Sequence, residues 1–164
     1  MSRTWWLTTN TNHQLEDVRH FLIESGAWGE VTTNPKYHRL IAESKDEGIT
    51  LVGSDGRKRN PGTRESRSVT LGTPRTISFT QELSRSLDHC GRLDQIYEFA
   101  FRFASWDENC DLYFELEDLG IFKRINGIYT VNPDQFFAKS LACFLTFPYR
   151  LADSDKRAQL VANA

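Results

Sequence analysis

The sequence predicts an α+β fold, with an N-terminal βαββ-type sheet layer packed against a C-terminal helical layer that carries a β-hairpin. Three observations lead there. Short β-branched and aromatic runs dominate before residue 53, whereas apolar stripes at helical spacing dominate after residue 76. Fourteen of the twenty aromatic residues lie between Tyr97 and Tyr149, which marks an aromatic-rich second part. Between them, Gly53 to Ser68 contains no apolar residue, so that stretch is expected to be solvated. The division is 1–52 as the α/β part, 53–75 as an exposed basic loop or hairpin arm, 76–150 as the helical part with a hairpin at 121–131, and 151–164 as a frayed tail. All of it is expected to form a single domain, 1–164, around one core.

Each element has a local reason. Trp5-Trp6-Leu7-Thr8-Thr9 reads as a strand by residue type. Thr11 and Gln14 have capping-box spacing, Leu15, Val18, Phe21 and Leu22 form one helical face, and Gly26 closes that helix. Residues 37–42 and 49–52 are two further strands, and short strands at 69–71 and 76–77 follow the arm. Ser78 and Gln81 repeat the capping-box spacing before Phe79, Leu83 and Leu87, which predicts a helix up to Gly91. Leu93, Ile96, Tyr97, Ala100 and Ala104 mark a second helical face, widened by Phe99, Phe101, Phe103 and Trp106, so this helix should be central. Residues 112–119 are expected as a short helix stopped by Gly120. Asn126-Gly127 then joins two strand-like runs as a type I′ turn, because both positions need positive φ. Asn132-Pro133-Asp134 has the cap, first-turn proline and acid of a last helix, which Pro148 ends.

Composition excludes several classes. Hydrophobic residues make up 39% and charged residues 26%, a globular profile. Twenty basic against twenty-two acidic residues give a net charge of −2, which argues against a protein that coats polyanions with its whole surface. No apolar run approaches membrane-span length, and Met1-Ser2-Arg3-Thr4 does not open a signal peptide, so no membrane partner is expected. Three widely spaced cysteines, Cys90, Cys110 and Cys143, suit a reducing, cytoplasmic setting.

Charge is segregated along the chain. Arg57, Lys58, Arg59, Arg64, Arg67 and Arg75 are opposed within 57–75 only by Glu65, a net +5 on a segment punctuated by glycine and proline. Such a segment can contact phosphates, since arginine's planar fork matches their geometry. The compensating acids Asp107, Glu108, Asp111, Glu115, Glu117 and Asp118 occur with no base among them. Of these, Asp107, Glu108, Asp111, Glu115 and Asp118 are the candidate surface for a protein partner. They would meet either the arm within the fold or a separate partner, as a nucleic-acid mimic does.

The run Leu116-Glu117-Asp118-Leu119-Gly120-Ile121-Phe122-Lys123-Arg124, followed by Asn126-Gly127-Ile128-Tyr129-Thr130-Val131-Asn132-Pro133, resembles the recognition helix and wing of winged-helix domains. It is most similar to those of plasmid and phage replication initiators, over about residues 112–133. The resemblance implies a winged-helix-like topology in the helical layer. Glu115, Glu117 and Asp118 on the implied helix would repel phosphates, which leaves Lys123 and Arg124 of the wing as its nucleic-acid-facing cations. The opening Arg3-Thr4-Trp5-Trp6-Leu7-Thr8-Thr9-Asn10 is similar to that of rolling-circle replication endonucleases. Their paired metal-binding histidines have no counterpart beside His38, so nicking chemistry is not expected.

No other chemistry is signalled. Asp107-x-Asn109-x-Asp111 echoes a calcium loop, but Leu112 stands where its glycine must be. His89, Cys90 and Cys110 lack a Cys-x-x-Cys clamp for zinc. His13, His20 and His38 are scattered, and Gly53-Ser54-Asp55-Gly56 is no nucleophile elbow. The expectation is a small non-enzymatic nucleic-acid-binding accessory or regulatory protein of viral, phage or plasmid origin, with no metal and no cofactor. The alternative is a protein-binding inhibitor or adaptor that uses the acidic surface at 107–118.

Overall fold

Trp5 and Leu7 are each 1% exposed and Thr8 and Thr9 fully buried, which makes the first strand the centre of the molecule. The structure is a computed structural model and describes residues 3–46, 48–58, 71, 76–83, 90–117, 119–132 and 149–151. In chain order the elements are β1 (Thr4–Thr9), α1 (Leu15–Ser25), β2 (Trp28–Asn34), β3 (Arg39–Ser44), β4 (Ile49–Asp55), a 3-10 turn (Gly56–Lys58), β5 (Ile77–Leu83), α2 (Cys90–Trp106), β6 (Leu112–Leu116), β7 (Leu119–Ile125), β8 (Ile128–Val131) and β9 (Tyr149–Leu151). The strands form one nine-stranded sheet in the order β2-β3-β4-β5-β1-β6-β7-β8-β9. Every neighbouring pair is antiparallel except β8 and β9, which are parallel.

The two helices share one core with the sheet. Val18 and Leu22 of α1 and Ile96, Phe99, Ala100, Phe103 and Ala104 of α2 join Leu7, Leu40, Leu51, Phe79, Phe114 and Phe122 in a single cluster. Aromatic rings lock α2 down along its length: Phe99 and Phe103 meet Phe79, Tyr97 meets Phe114, and Phe101 stacks on Phe122 with centroids 4.7 Å apart. Edge and offset ring pairs of this kind add specificity to the area buried. Among the described residues no helix is long and apolar enough to cross a membrane.

The expected helical layer with winged-helix topology is corrected by this sheet. The helix expected after Ser78 is strand β5. Phe79 and Leu83 are four apart, a spacing that suits a helix and a strand alike. Gln81 decides between them, because it is 1% exposed and points inward between the two, its Nε2 donating to the Ile96 carbonyl at 3.1 Å. The short helix expected over 112–119 is strand β6, buried at every residue between β1 and β7. Tyr113 and Phe114 favour a strand with two covered faces. The N-terminal part also holds one strand more than expected, since β2 buries only Trp28 and Val31 and its register shifts between them. Of the helix expected from Asn132 to Pro148, residues 133–148 lie outside the described residues, and Leu151, assigned to the tail, belongs to β9.

The arm begins later than its composition implies. Gly53, Ser54 and Asp55 finish β4, with Gly53 and Asp55 buried. A Cβ on Gly53 would lie 2.8 Å from the Phe79 ring, so the apolar-free stretch starts with two residues the core requires. The Gly56 N–H donates to the Thr76 carbonyl at 2.9 Å and closes the arm at its base. Leu71 is 7% exposed and packs with Tyr113, so the segment expected to be wholly exposed also buries a side chain. The hairpin at 121–131 forms as expected: Asn126 and Gly127 have φ of 51° and 77° between the paired Ile125 and Ile128.

Candidate functional site

The end of the sheet where β1 finishes and β6 begins is stitched by polar side chains. The Thr9 hydroxyl donates to the Asp111 carbonyl at 3.0 Å, and the Asp111 N–H donates to Asn10 Oδ1 at 2.7 Å. The Thr11 hydroxyl donates to the Asp107 carboxylate and accepts from the His13 N–H at 3.2 Å. Because Thr11 is engaged there, α1 starts later than expected, with Gln14 as its cap and the Asp17 carboxylate accepting the Gln14 N–H at 2.8 Å. Burial by itself would raise the Asp107 carboxyl, but hydrogen bonds from Thr11, Asn109 and Cys110 and the nearby His13 together hold it below its ordinary value.

Two arginines fasten this end from either side. Arg57 grips both carboxylate oxygens of Asp55, at 3.0 and 3.1 Å, and donates to the carbonyls of Thr11 and His13. Arg124, 2% exposed, donates to the Cys110 carbonyl at 2.9 Å, the Ala104 carbonyl at 2.7 Å, the Tyr129 hydroxyl at 2.8 Å and the Asp107 carbonyl. Those carbonyls lie at and just beyond the C-terminus of α2, which has no basic residue in its last turn. Arg124 thus supplies from β7 the cation and donors that a helix C-terminus lacks.

Between the two fastened loops lies a cleft of about 430 Å³ lined by Asn10, Asn12, His13, Asp107, Asn109 and Cys110. Asn12 and Asn109 are exposed. His13 stacks on Trp106 with centroids 4.1 Å apart, and Trp106 stacks on Phe21 at 4.8 Å. Burial pushes the Cys110 thiol up from its ordinary value, which disfavours the thiolate a nucleophile needs. Among the described residues no three His, Cys, Asp or Glu side chains come together to hold a metal. The cleft can therefore offer hydrogen bonds, an aromatic face and one carboxylate.

Among the described residues, those singled out in the sequence do not gather here as one surface. Of the basic set, Lys58 is exposed at the arm's base, Arg57 and Arg124 are committed to internal acceptors, and Lys123 is 6% exposed. Arg59, Arg64, Arg67 and Arg75 lie outside the described residues. Of the acidic set, Glu108 is exposed, Asp107 is turned to Thr11, and Asp111 accepts from the Asn126 N–H at 2.9 Å. Glu115 is buried in β6, and Asp118 lies outside the described residues. Lys123, Arg124 and Glu115 are buried side chains on strands interior to the sheet rather than on a solvent-facing wing and helix.

Sequence reasoning missed Asn10, Asn12 and the seating of His13 on Trp106, and it weighed Asn109 only as part of a calcium-loop echo. The usable signal was Asn10-Thr11-Asn12-His13, four polar side chains between a strand and a helix, where loops at a sheet end carry function. Compared with known proteins, the chain matches no family model, no curated protein and no solved structure.

Proposed function

We propose that this chain is a small non-enzymatic nucleic-acid-binding accessory or regulatory protein that contacts phosphates through its basic arm. One observation carries the reading. With Arg57 committed to Asp55, Lys58, Arg59, Arg64, Arg67 and Arg75 still stand against Glu65 alone, a net +4 over 58–75. The pinned base supports it further: Arg57 and the Gly56–Thr76 bond fix where the arm leaves the sheet, at the end that holds the cleft. Cys110, a free buried thiol, supports a cytoplasmic setting. The acidic run supports a protein-docking surface less, because Asp107 and Asp111 accept hydrogen bonds from Thr11 and Asn126 and Glu115 is buried.

Fluorescence anisotropy with a labelled single strand and a labelled duplex tests the reading. Binding at low salt should weaken steeply as salt rises, since each neutralised phosphate releases counterions. No binding to either at low salt would defeat it.

A further inference from the structure

Outside the arm, the polar cleft at the end of the sheet combines features that a phosphate contact does not need. The cleft at the β1–α1 and α2–β6 loops has two exposed carboxamides, Asn12 and Asn109, on its lining. It also has an imidazole, His13, which caps an aromatic array: Trp106 stacks against both Phe21 and His13, with interplanar angles of 24° and 25°. The His13 side chain remains 40% exposed while it lines the cleft. Its backbone is not free to drift, because the Arg57 guanidinium holds the His13 carbonyl at 2.7 Å and the Thr11 hydroxyl accepts the His13 N–H. The Asp107 carboxylate, turned partly to the same recess, makes it unfavourable for a phosphate. A neutral, flat, hydrogen-bonding ligand has no such conflict.

We infer that this cleft is a nucleobase subsite, in which an unstacked base of a single strand lies on His13 and is hydrogen-bonded by the carboxamides of Asn12 and Asn109. Unpaired bases are recognised in this way elsewhere, by stacking on aromatic or histidine rings and by hydrogen bonds to their edges. A carboxamide carries both a donor and an acceptor, so it can read a base edge bidentately. The volume of about 430 Å³ falls within the range of small-ligand clefts and admits one base. Exposed Lys58, next in the chain to the Arg57 clamp, would meet the adjoining phosphate. The inference rests on the nucleic-acid reading above and deepens it: the arm supplies strength without regard to bases, and the cleft supplies preference for unpaired ones.

The test compares two labelled DNA single strands of equal length, one intact and one abasic throughout, in anisotropy titrations with the full chain at low salt. The intact strand should bind about 5- to 150-fold more tightly, the range that one stacked base contributes. His13→Ala should bring the two affinities together, and His13→Phe, which keeps a ring on Trp106, should restore the difference. Asn12→Ala, at an exposed loop position, should reduce the difference without unfolding risk. Equal affinity of the wild-type chain for both strands would overturn the subsite and leave the arm standing. A preference for the intact strand that survives His13→Ala and Asn12→Ala would also overturn it, because the base would then sit elsewhere. Binding of neither strand would overturn the subsite and the nucleic-acid reading together.

Discussion

At the base of the arm a guanidinium is held by a carboxylate, whereas beneath the hairpin a guanidinium is held by carbonyls. Arg57 keeps a side chain 21% exposed and faces Asp55, whose side chain is 3% exposed, in a bidentate pair. Arg124 is nearly sealed, and among the described residues its oxygen acceptors are three carbonyls and the Tyr129 hydroxyl. The first arrangement neutralises charge with charge and tolerates some water. The second works because the carbonyls at the end of α2 already carry the negative pole of the helix. The difference teaches where a cation is replaceable. Removing Arg57 with Asp55 leaves the Thr11 and His13 carbonyls without their donor, whereas removing Arg124 leaves three carbonyls without theirs and no partner charge that could be removed with it.

The largest effect should follow from Arg124→Met. It fills the volume but leaves the Ala104, Asp107 and Cys110 carbonyls without their donor, and should cost about 3–4 kcal/mol in urea unfolding with an unchanged slope. A loss below about 1 kcal/mol would mean that water replaces the guanidinium readily. Arg57→Ala should cost about 2–3 kcal/mol, because Asp55 would stay buried without its countercharge and the Thr11 and His13 carbonyls would lose their donor. The double change Arg57→Ala with Asp55→Ala should recover part of that loss, and strict additivity of the two would break the account of the pair.

Gly127→Val should cost about 1–2 kcal/mol, since φ of 77° strains a β-branched residue although nothing lies within 4 Å of the added Cβ. The smallest effect joins the two regions at Asp107. Its carboxyl is held below the ordinary 3.8, so its contribution is present above that value and is lost as pH falls through the lower folded value. Asp107→Asn should therefore lower the neutral plateau slightly and flatten the acid limb below about pH 4, so that the variant and the wild type converge at low pH. An acid limb as steep as in the wild type would place the titration elsewhere.

Much of the fold was legible where one residue carried one meaning. Gly26 with φ of 74° and the Asn126-Gly127 turn were readable because few residues accept those conformations. Helix α2 was readable because its apolar positions crowd nearly the whole circumference. Strand β5 was not, since Phe79 and Leu83 fit two periods and a buried glutamine looks polar in a sequence. Arg57 and Arg124 looked like phosphate contacts for a related reason: a sequence shows charge but not the carbonyls that long-range folding gathers around it. The cleft was hidden in the same way, since Asn12 and Asn109 come together only through the bonds of Thr9, Asn10 and Thr11 to residues 107–111.

The most direct measurement is the salt dependence of single-strand affinity in three proteins: the wild type, an arm variant with Arg59, Arg64, Arg67 and Arg75 changed to Ala, and Arg57→Ala. In a plot of log affinity against log salt, each lost phosphate contact should reduce the slope by about 0.7 for a single strand. The account predicts a slope shallower by up to about 3 in the arm variant, with its melting temperature preserved. It predicts the wild-type slope for Arg57→Ala, with a lowered melting temperature. An unchanged slope in the arm variant, or a reduced slope in folded Arg57→Ala, would contradict the division between a binding arm and its structural base.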